Sequence, residues 1–451
     1  MSPLFSIFAA YRLAVLLYRL LWISLKFVYR AFFKRIYFSN LDRLSQDKPV
    51  ILASNHPNSF LDSVVLPVFM LKQQFYLARG DVFNNKILQR VFNWLNMIPI
   101  YRKRDSANNS DKNNETFDRV AHLLNRNETV LIFSEGVCMV EKRLRPLMKG
   151  TARMAFHAAE KYGWDRGIQI QPVGLNYTYM QEVRGEVMYN FGLPMEVSDY
   201  EDLYKENPSK AIVALTEELE IRMKKEIIHL DPENDALFEQ LVQMFRNDRE
   251  KKNFGILQFN DYSRFQMEKG LADQLNDLHQ NNPEDWEKLK LECEDLEAQM
   301  AKHVLGDLGF SKRSSTPFWK LVLMMFFLPF SLVAYLLHFG IFKFARSYSR
   351  KIIKSSVFHA SMHIGFIMIP MWFAFLIPFL LVMGFTNVYW AIAWTLFQLI
   401  SGYIGVLSLD LWNQIKIRSR VEVFKNKEPA LYDELAVKRS AILKHLAHET
   451  H

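Results

Sequence analysis

The chain has 451 residues and a formal net charge of +8; half of its residues are apolar and 14% are aromatic. That length exceeds what one compact core usually needs, so two or more units are expected. The apolar residues gather in the first 38 positions and again after Pro317, an uneven spread that suits a membrane rather than a soluble core. A basic balance suits anionic partners. Here the cations stand beside apolar segments, which favours lipid head groups. The sequence has no RNA-binding signature and no zinc-type Cys/His spacing, which argues against nucleic acid. Two distant cysteines, Cys138 and Cys293, frame no disulfide scaffold and suggest no metal site. They fit a reducing, cytoplasm-facing catalytic part.

In chain order, residues 3–38 read as one helix within a membrane-associated segment, 1–47. At about 100° per residue, Arg12, Arg19, Lys26, Arg30 and Lys34 fall on one stripe, with aromatic and aliphatic residues elsewhere. The pattern predicts a helix lying in the membrane interface. A true span is the alternative, against the cost of charges at mid-bilayer. Charges interrupt the apolar run and no cleavage pattern follows, so it is not a signal peptide.

Residues 48–198 alternate short apolar runs with amphipathic stretches. The runs KPVILASNH, QQFYLARG, NMIPIYR, ETVLIFSEG and IQIQPVGLNYTY read as strands, and GEVMYNFGLPMEV adds a late one. ETFDRVAHLLNRN and PLMKGTARMAFHAAEKYG read as helices between them. An α/β domain follows, a mixed sheet flanked by helices. Residues 199–316 turn charged and amphipathic at helical spacing, a helical insert whose charges read as a solvated face. Membrane segments occupy 317–412: apolar runs at 321–342, about 357–383 and 388–412, each long enough to cross a bilayer. Residues 413–451 form a basic tail. The links KFARSYSRKIIK and KIRSR are basic and face the cytoplasm by the positive-inside rule, so the second and third runs form a hairpin. The first run is basic on both flanks and contains Pro329, and it either re-enters or crosses.

Four patterns carry chemistry. His56 in SNHPNSFLD follows a strand end, and Asp62 is the nearest carboxylate after it. A histidine suits general-base work near neutral pH, and a carboxylate at its other ring nitrogen would fix the tautomer. Alone, the pair is equally a strand-end histidine beside a helix-start Asp. The second pattern, FSEGVCMVEKRLRPLMKG, brings Glu135, Gly136, Arg143, Arg145 and Lys149 after another strand: a turn, a hydrogen-bonding carboxylate and phosphate-binding cations, or a solvated surface turn. The third sets Arg102, Lys103 and Arg104 at a strand end, a phosphate-sized cluster or a solvated charge run. The fourth puts Pro172 inside an apolar strand, implying an edge or an irregularity that shapes a pocket. Nothing in sequence lowers the pKa of Cys138, so it is not assigned as a nucleophile. His338, His359 and His363 lie in or beside membrane runs, and with no third ligand evident no metal is assigned.

NHPNSFLD, IPIYR, FSEG and IQPVG follow one another over residues 54–176, an order that resembles the glycerolipid acyltransferase superfamily. The resemblance implies that His56 is the general base with Asp62 as its partner. It implies that Arg102, Glu135 and Gly136 bind the glycerol phosphate, and that Pro172 belongs to the fourth motif. No covalent acyl-enzyme and no cofactor are implied; acyl-CoA or acyl-carrier protein is the co-substrate. Two departures stand out. Five residues separate His56 from Asp62 where the family has four, and Ser134 replaces the usual proline. That spacing is similar to the eukaryotic-type glycerol-3-phosphate/dihydroxyacetone-phosphate acyltransferases. The expected function is therefore membrane-bound acylation of glycerol 3-phosphate in phospholipid biosynthesis, with the domain facing the cytoplasm. The alternatives are acylation of 1-acyl-glycerol 3-phosphate or another lysolipid, and a non-catalytic membrane scaffold.

Overall fold

The computed structural model describes residues 3–70, 73–101, 109–178, 183–249, 257–259, 262–311, 318–354 and 358–447. Two compact units emerge. The first holds Met1–Ile228, Gly255–Ser263 and Ile353–Met362, and the second holds His229–Phe254, Arg264–Ile352 and His363–His451.

The first unit opens with α1 (Pro3–Phe32), β1 (Arg35–Ser39), β2 (Val50–Ser54), α2 (Phe60–Phe69), β3 (Gln74–Arg79), α3 (Lys86–Trp94) and β4 (Met97–Ile100). It continues through α4 (Asn109–Asn125), β5 (Thr129–Phe133), α5 (Gly150–Tyr162), β6 (Gln169–Tyr177), β7 (Glu186–Phe191), β8 (Met195–Glu196), α6 (Glu201–Glu206), α7 (Pro208–Glu226) and β9 (Leu257–Phe259). The strands form one mixed sheet in the order β4-β3-β5-β2-β6-β7-β1-β9, with β8 also on β6. From β4 to β6 every pairing is parallel. The direction reverses between β6 and β7, and β1 runs parallel to β7 and β9. Strands buried on both faces need continuous apolar runs. The interior strands β2 and β6 accordingly read VILAS and QIQPVGLNY, with every residue buried. On one face Ile51, Ala53, Val130 and Ile170 pack with Val120, Leu124, Ala155, Leu215, Leu219 and Met223 from α4, α5 and α7.

Two expectations need correcting. The first helix ends at Phe32, and the α/β unit starts at β1 rather than at residue 48. The aromatic and β-branched run Ile36-Tyr37-Phe38 suits a buried strand between two neighbours. No glycine or proline separates it from the helix, so composition alone hid the break. The unit also does not stop at residue 198, because α6, α7 and β9 belong to it. Gly174 makes the end of α7 fit: a Cβ there would lie 1.9 Å from the Glu226 carbonyl oxygen. That carbonyl accepts hydrogen bonds from the Asn176 and Asn190 side chains. Of the two readings of Pro172, an edge or an irregularity, the structure has the irregularity. Pro172 pairs with Ala53 of β2, and its carbonyl accepts from Gly192 N–H at 2.9 Å. This is where the partner of β6 changes from β8 to β7, so the missing N–H faces a break in the ladder.

The second unit is helical: α8 (Asp235–Arg249), most of α9 (Ser263–Asn281), α10 (Pro283–Lys302), α11 (Phe318–Ile352), α12 (His359–Phe385) apart from His359–Met362, which belong to the first unit, α13 (Val388–Lys427) and α14 (Pro429–Ala447). Its charges are not all solvated. Buried Glu268 meets Arg246 and Arg264 at 2.6 Å each. Arg439 of α14 is buried against Asp307 at 2.5 Å and Asp248 at 3.1 Å. The expected basic tail is thus packed helix, with Leu435, Ile442 and Leu446 in the core. Helices α11, α12 and α13 are long and apolar enough to cross a membrane. The re-entrant alternative fails on continuity, since α11 runs unbroken through Pro329.

Candidate active site

His56 leaves the end of β2 and is followed by a tight turn. Ser59, with φ +47°, caps α2, and Asp62 sits in that helix's first turn. The five intervening residues therefore fold back on themselves: His56 Nδ1 lies 2.8 Å from Asp62 Oδ2. Asp62 is completely buried. Its Oδ2 also accepts from the Asn58 backbone N–H at 2.7 Å, and its Oδ1 accepts from the Tyr177 hydroxyl at 2.7 Å. Three donors on one buried carboxylate fix it in place. With Nδ1–H donating to Asp62, His56 Nε2 is left as the basic nitrogen. The imidazole stacks on the Phe133 ring at 3.8 Å and 9°.

The loop itself is pinned. The Asn55 side chain donates to Leu175 O at 2.9 Å and accepts from Leu175 N at 2.7 Å, tying it to β6. Met139 N–H donates to His56 O at 3.2 Å, joining the loop to the one after β5. Ser361 accepts from Leu61 N–H at 3.2 Å, so the start of α12 also braces it.

The second loop supplies the other wall. A small cleft is lined by Asn55, His56, Pro57, Glu135, Met139, Glu141, Arg143 and Arg145. Gly136 turns the chain after β5 with φ +64°, a left-handed conformation that costs glycine little. Glu141 accepts from Arg145 at 2.8 Å and lies 3.4 Å from Arg143, setting two guanidiniums side by side. Glu135 is buried, and its Oε1 has no hydrogen-bond partner among the described residues. Burial pushes its pKa up to about 8, against the pull of Arg145 and with help from Asp62 and Glu141. Near neutral pH it is chiefly a carboxylic acid and can donate.

His56, Glu135, Arg143 and Arg145 thus converge, and Asp62 stands directly behind His56. Gly136 shapes the turn. Lys149 is exposed at the start of α5, outside the cleft lining. Pro172, expected to bind substrate, is also outside that lining; it is buried beside Gly192. Arg102 and Arg104, with Lys103, lie outside the described residues. The sequence reading missed Tyr177, Phe133 and Glu141. Strand register carried a signal for Phe133, which ends β5 opposite Ser54. Tyr177 ends β6, the other neighbour of β2.

Cys138 lies close enough to His56 and Asp62 for the three to resemble a metal-ligand group. Its surroundings point elsewhere. Burial, then the Asp62 charge, pushes the thiol up to about 12, and Sγ accepts from Ser59 N–H at 3.0 Å. A protonated thiol is not a nucleophile, and the Asp62 oxygens are already engaged by His56, Asn58 and Tyr177. Outside the cleft, His359 bonds to Ile353 O at 2.8 Å, while His338 and His363 are buried in α11 and α12.

Residues 35–176 match the model of the Acyltransferase family. This stretch, about a third of the chain, is similar to that family. An uncharacterized acyltransferase of Schizosaccharomyces pombe is 29% identical over 90 residues, a stretch covering 20% of this chain and 13% of that protein. Among solved structures, the crystal structure of the 1-acyl-sn-glycerophosphate (LPA) acyltransferase PlsC from Thermotoga maritima is similar at 18% identity and a TM-score of 0.30. That alignment covers 44% of this chain and 78% of PlsC.

Proposed function

We propose that the protein transfers a fatty acyl group from an acyl thioester, acyl-CoA or acyl-carrier protein, to the sn-1 hydroxyl of glycerol 3-phosphate. The observation that carries this reading is the His56–Asp62 pair, closed at 2.8 Å and opening on a cleft walled by Glu135, Arg143 and Arg145. His56 Nε2 takes the acceptor's hydroxyl proton as the oxygen attacks the thioester carbonyl. Asp62 steadies the imidazolium that forms. As the tetrahedral intermediate collapses, the C–S bond breaks and the thiolate leaves with the proton from His56. No acyl-enzyme forms. The two guanidiniums bind the phosphate, an oxyanion suited to their planar fork. The Glu135 carboxylic acid bonds an acceptor hydroxyl. The cleft faces the cytoplasm, in keeping with the basic end of α11 under the positive-inside rule.

The acceptor assignment rests on the resemblance in His–Asp spacing; a lysophosphatidate acceptor is the rival outcome. Radiolabelled acyl transfer by the purified full-length chain in detergent, with glycerol 3-phosphate and 1-acyl-glycerol 3-phosphate in competition, separates them. Glycerol 3-phosphate should be consumed first. His56→Ala should lower the rate about 10²- to 10⁴-fold, as expected for loss of a general base. Full activity in that variant overturns the mechanism, and preference for the lysolipid overturns only the acceptor.

A further inference from the structure

We infer that α3 (Lys86–Trp94) is a second membrane-docking element that lays its Ile87/Val91/Trp94 stripe into the lipid interface beside α1. The sequence KILQRVFNW divides by face. At about 100° per residue, Ile87, Val91 and Trp94 share one narrow arc, with Lys86 and Arg90 along one flank and Gln89 and Asn93 on the far side. Phe92 points inward to Phe83, with ring centroids 5.2 Å apart. The apolar stripe is left outside: Ile87 is 71% exposed, Val91 41% and Trp94 37%. A nine-residue helix gains little from exposing such a stripe to water, since apolar area removed from water returns roughly 25 cal/mol per Å².

Three observations choose a bilayer as the occupant. First, α3 packs against α1, itself an amphipathic helix with an exposed apolar face. Trp94 meets Tyr18 edge-on at 5.5 Å, and the Asn96 side chain reaches the Tyr18 hydroxyl at 3.4 Å. Helix α1 in turn packs Leu25, Tyr29 and Phe32 inward and leaves Leu16, Leu20, Ile23 and Phe27 exposed. Second, the charge is of one sign. Lys86 and Arg90 on α3, and Arg19 and Lys26 on α1, flank the apolar stripes, and neither helix contains an acidic residue. Apolar face plus basic flanks is the pattern of helices that lie on anionic membranes. Third, the same chain carries three helices long and apolar enough to cross a membrane, so it has a bilayer at hand. The inference is independent of which acceptor the site uses.

The test is photo-cross-linking of the full-length protein reconstituted into phosphatidylcholine/phosphatidylglycerol vesicles doped with acyl-tritiated phosphatidylcholine. p-Benzoylphenylalanine is placed at Ile87 or Val91 on the stripe, or at Gln89 or Asn93 on the opposite face. All four positions are exposed, so the probe should leave folding intact. The stripe positions should take up several-fold more tritium than the opposite face. Equal labelling on both faces overturns the inference, and so does a protein–protein adduct at Ile87 in place of lipid label.

Discussion

The two loops that build the cleft are made differently. The loop after β2 is densely bonded around its carboxylate: the Asp62 oxygens accept three hydrogen bonds, Asn55 is tied to β6 through both ends of its amide, and Asp62 is fully buried. The loop after β5 is unfinished. Glu135 keeps a buried oxygen without a partner among the described residues, and Arg145 is held only partly buried by Glu141. Buried polar atoms are normally satisfied, so an orphan facing a cleft marks a place for a ligand. In the proposed reaction, one loop is preorganised to hold a base and the other to receive an acceptor. Changes in the first should therefore appear in kcat, and changes in the second in acceptor KM.

The largest break is expected at Asp62. Asp62→Ala removes the acceptor for the His56 Nδ1–H, the Asn58 N–H and the Tyr177 hydroxyl together. Loss of the orienting carboxylate should lower kcat about 10³- to 10⁴-fold with little change in acceptor KM. Tyr177→Phe removes one donor of the three and should cost about 10-fold or more, consistent with roughly 1.5–3 kcal/mol for a hydrogen bond to a charged group. Steady-state kinetics on the purified variants decide it. A Tyr177→Phe defect as large as that of Asp62→Ala would mean that the tyrosine does more than hold the carboxylate.

At Arg145 the split should invert. Arg145→Ala withdraws one of the two guanidiniums proposed to hold the phosphate and should raise KM for the phosphorylated acceptor about 10- to 100-fold, with kcat nearly kept. Arg145→Lys should recover only part of the loss, because an ammonium cannot bind bidentately. An equal fall in kcat with unchanged KM would erase the contrast between the loops.

Much of this could be read from the sequence, for physical reasons. Strands with long apolar runs, such as VILAS and TVLIF, announce themselves, and so do the ends where loops gather. The His56–Asp62 spacing raised the question of closure but did not answer it. Ser59 in a positive-φ conformation closes the turn, and serine carries no signal for that. β1 was missed because its aromatic residues continue those of α1. The role of Tyr177 depends on β6 lying beside β2, a pairing across more than 100 positions that no local pattern encodes. Pro172 was read correctly as an irregularity, yet the irregularity serves the switch from β8 to β7 and leaves the cleft untouched.

The smallest effect should come from Glu135, and it sharpens the comparison by pH. Its folded pKa, about 8, lies above the ordinary 4.5, so between those values the folded protein holds a proton that the unfolded chain releases. Stability from this group is therefore full below about pH 4.5, declines as pH rises toward 8, and levels off above it. Glu135→Gln keeps a neutral, hydrogen-bonding side chain and removes the ionisation. Thermal unfolding in detergent should show the variant gaining on the parent from pH 5 to pH 8. Acceptor KM of the parent should rise above pH 8, where a carboxylate would face the substrate phosphate, and that of Glu135→Gln should stay flat. A parent KM that is flat through pH 9 would place the Glu135 proton outside acceptor binding and leave the two guanidiniums as the acceptor's principal hold.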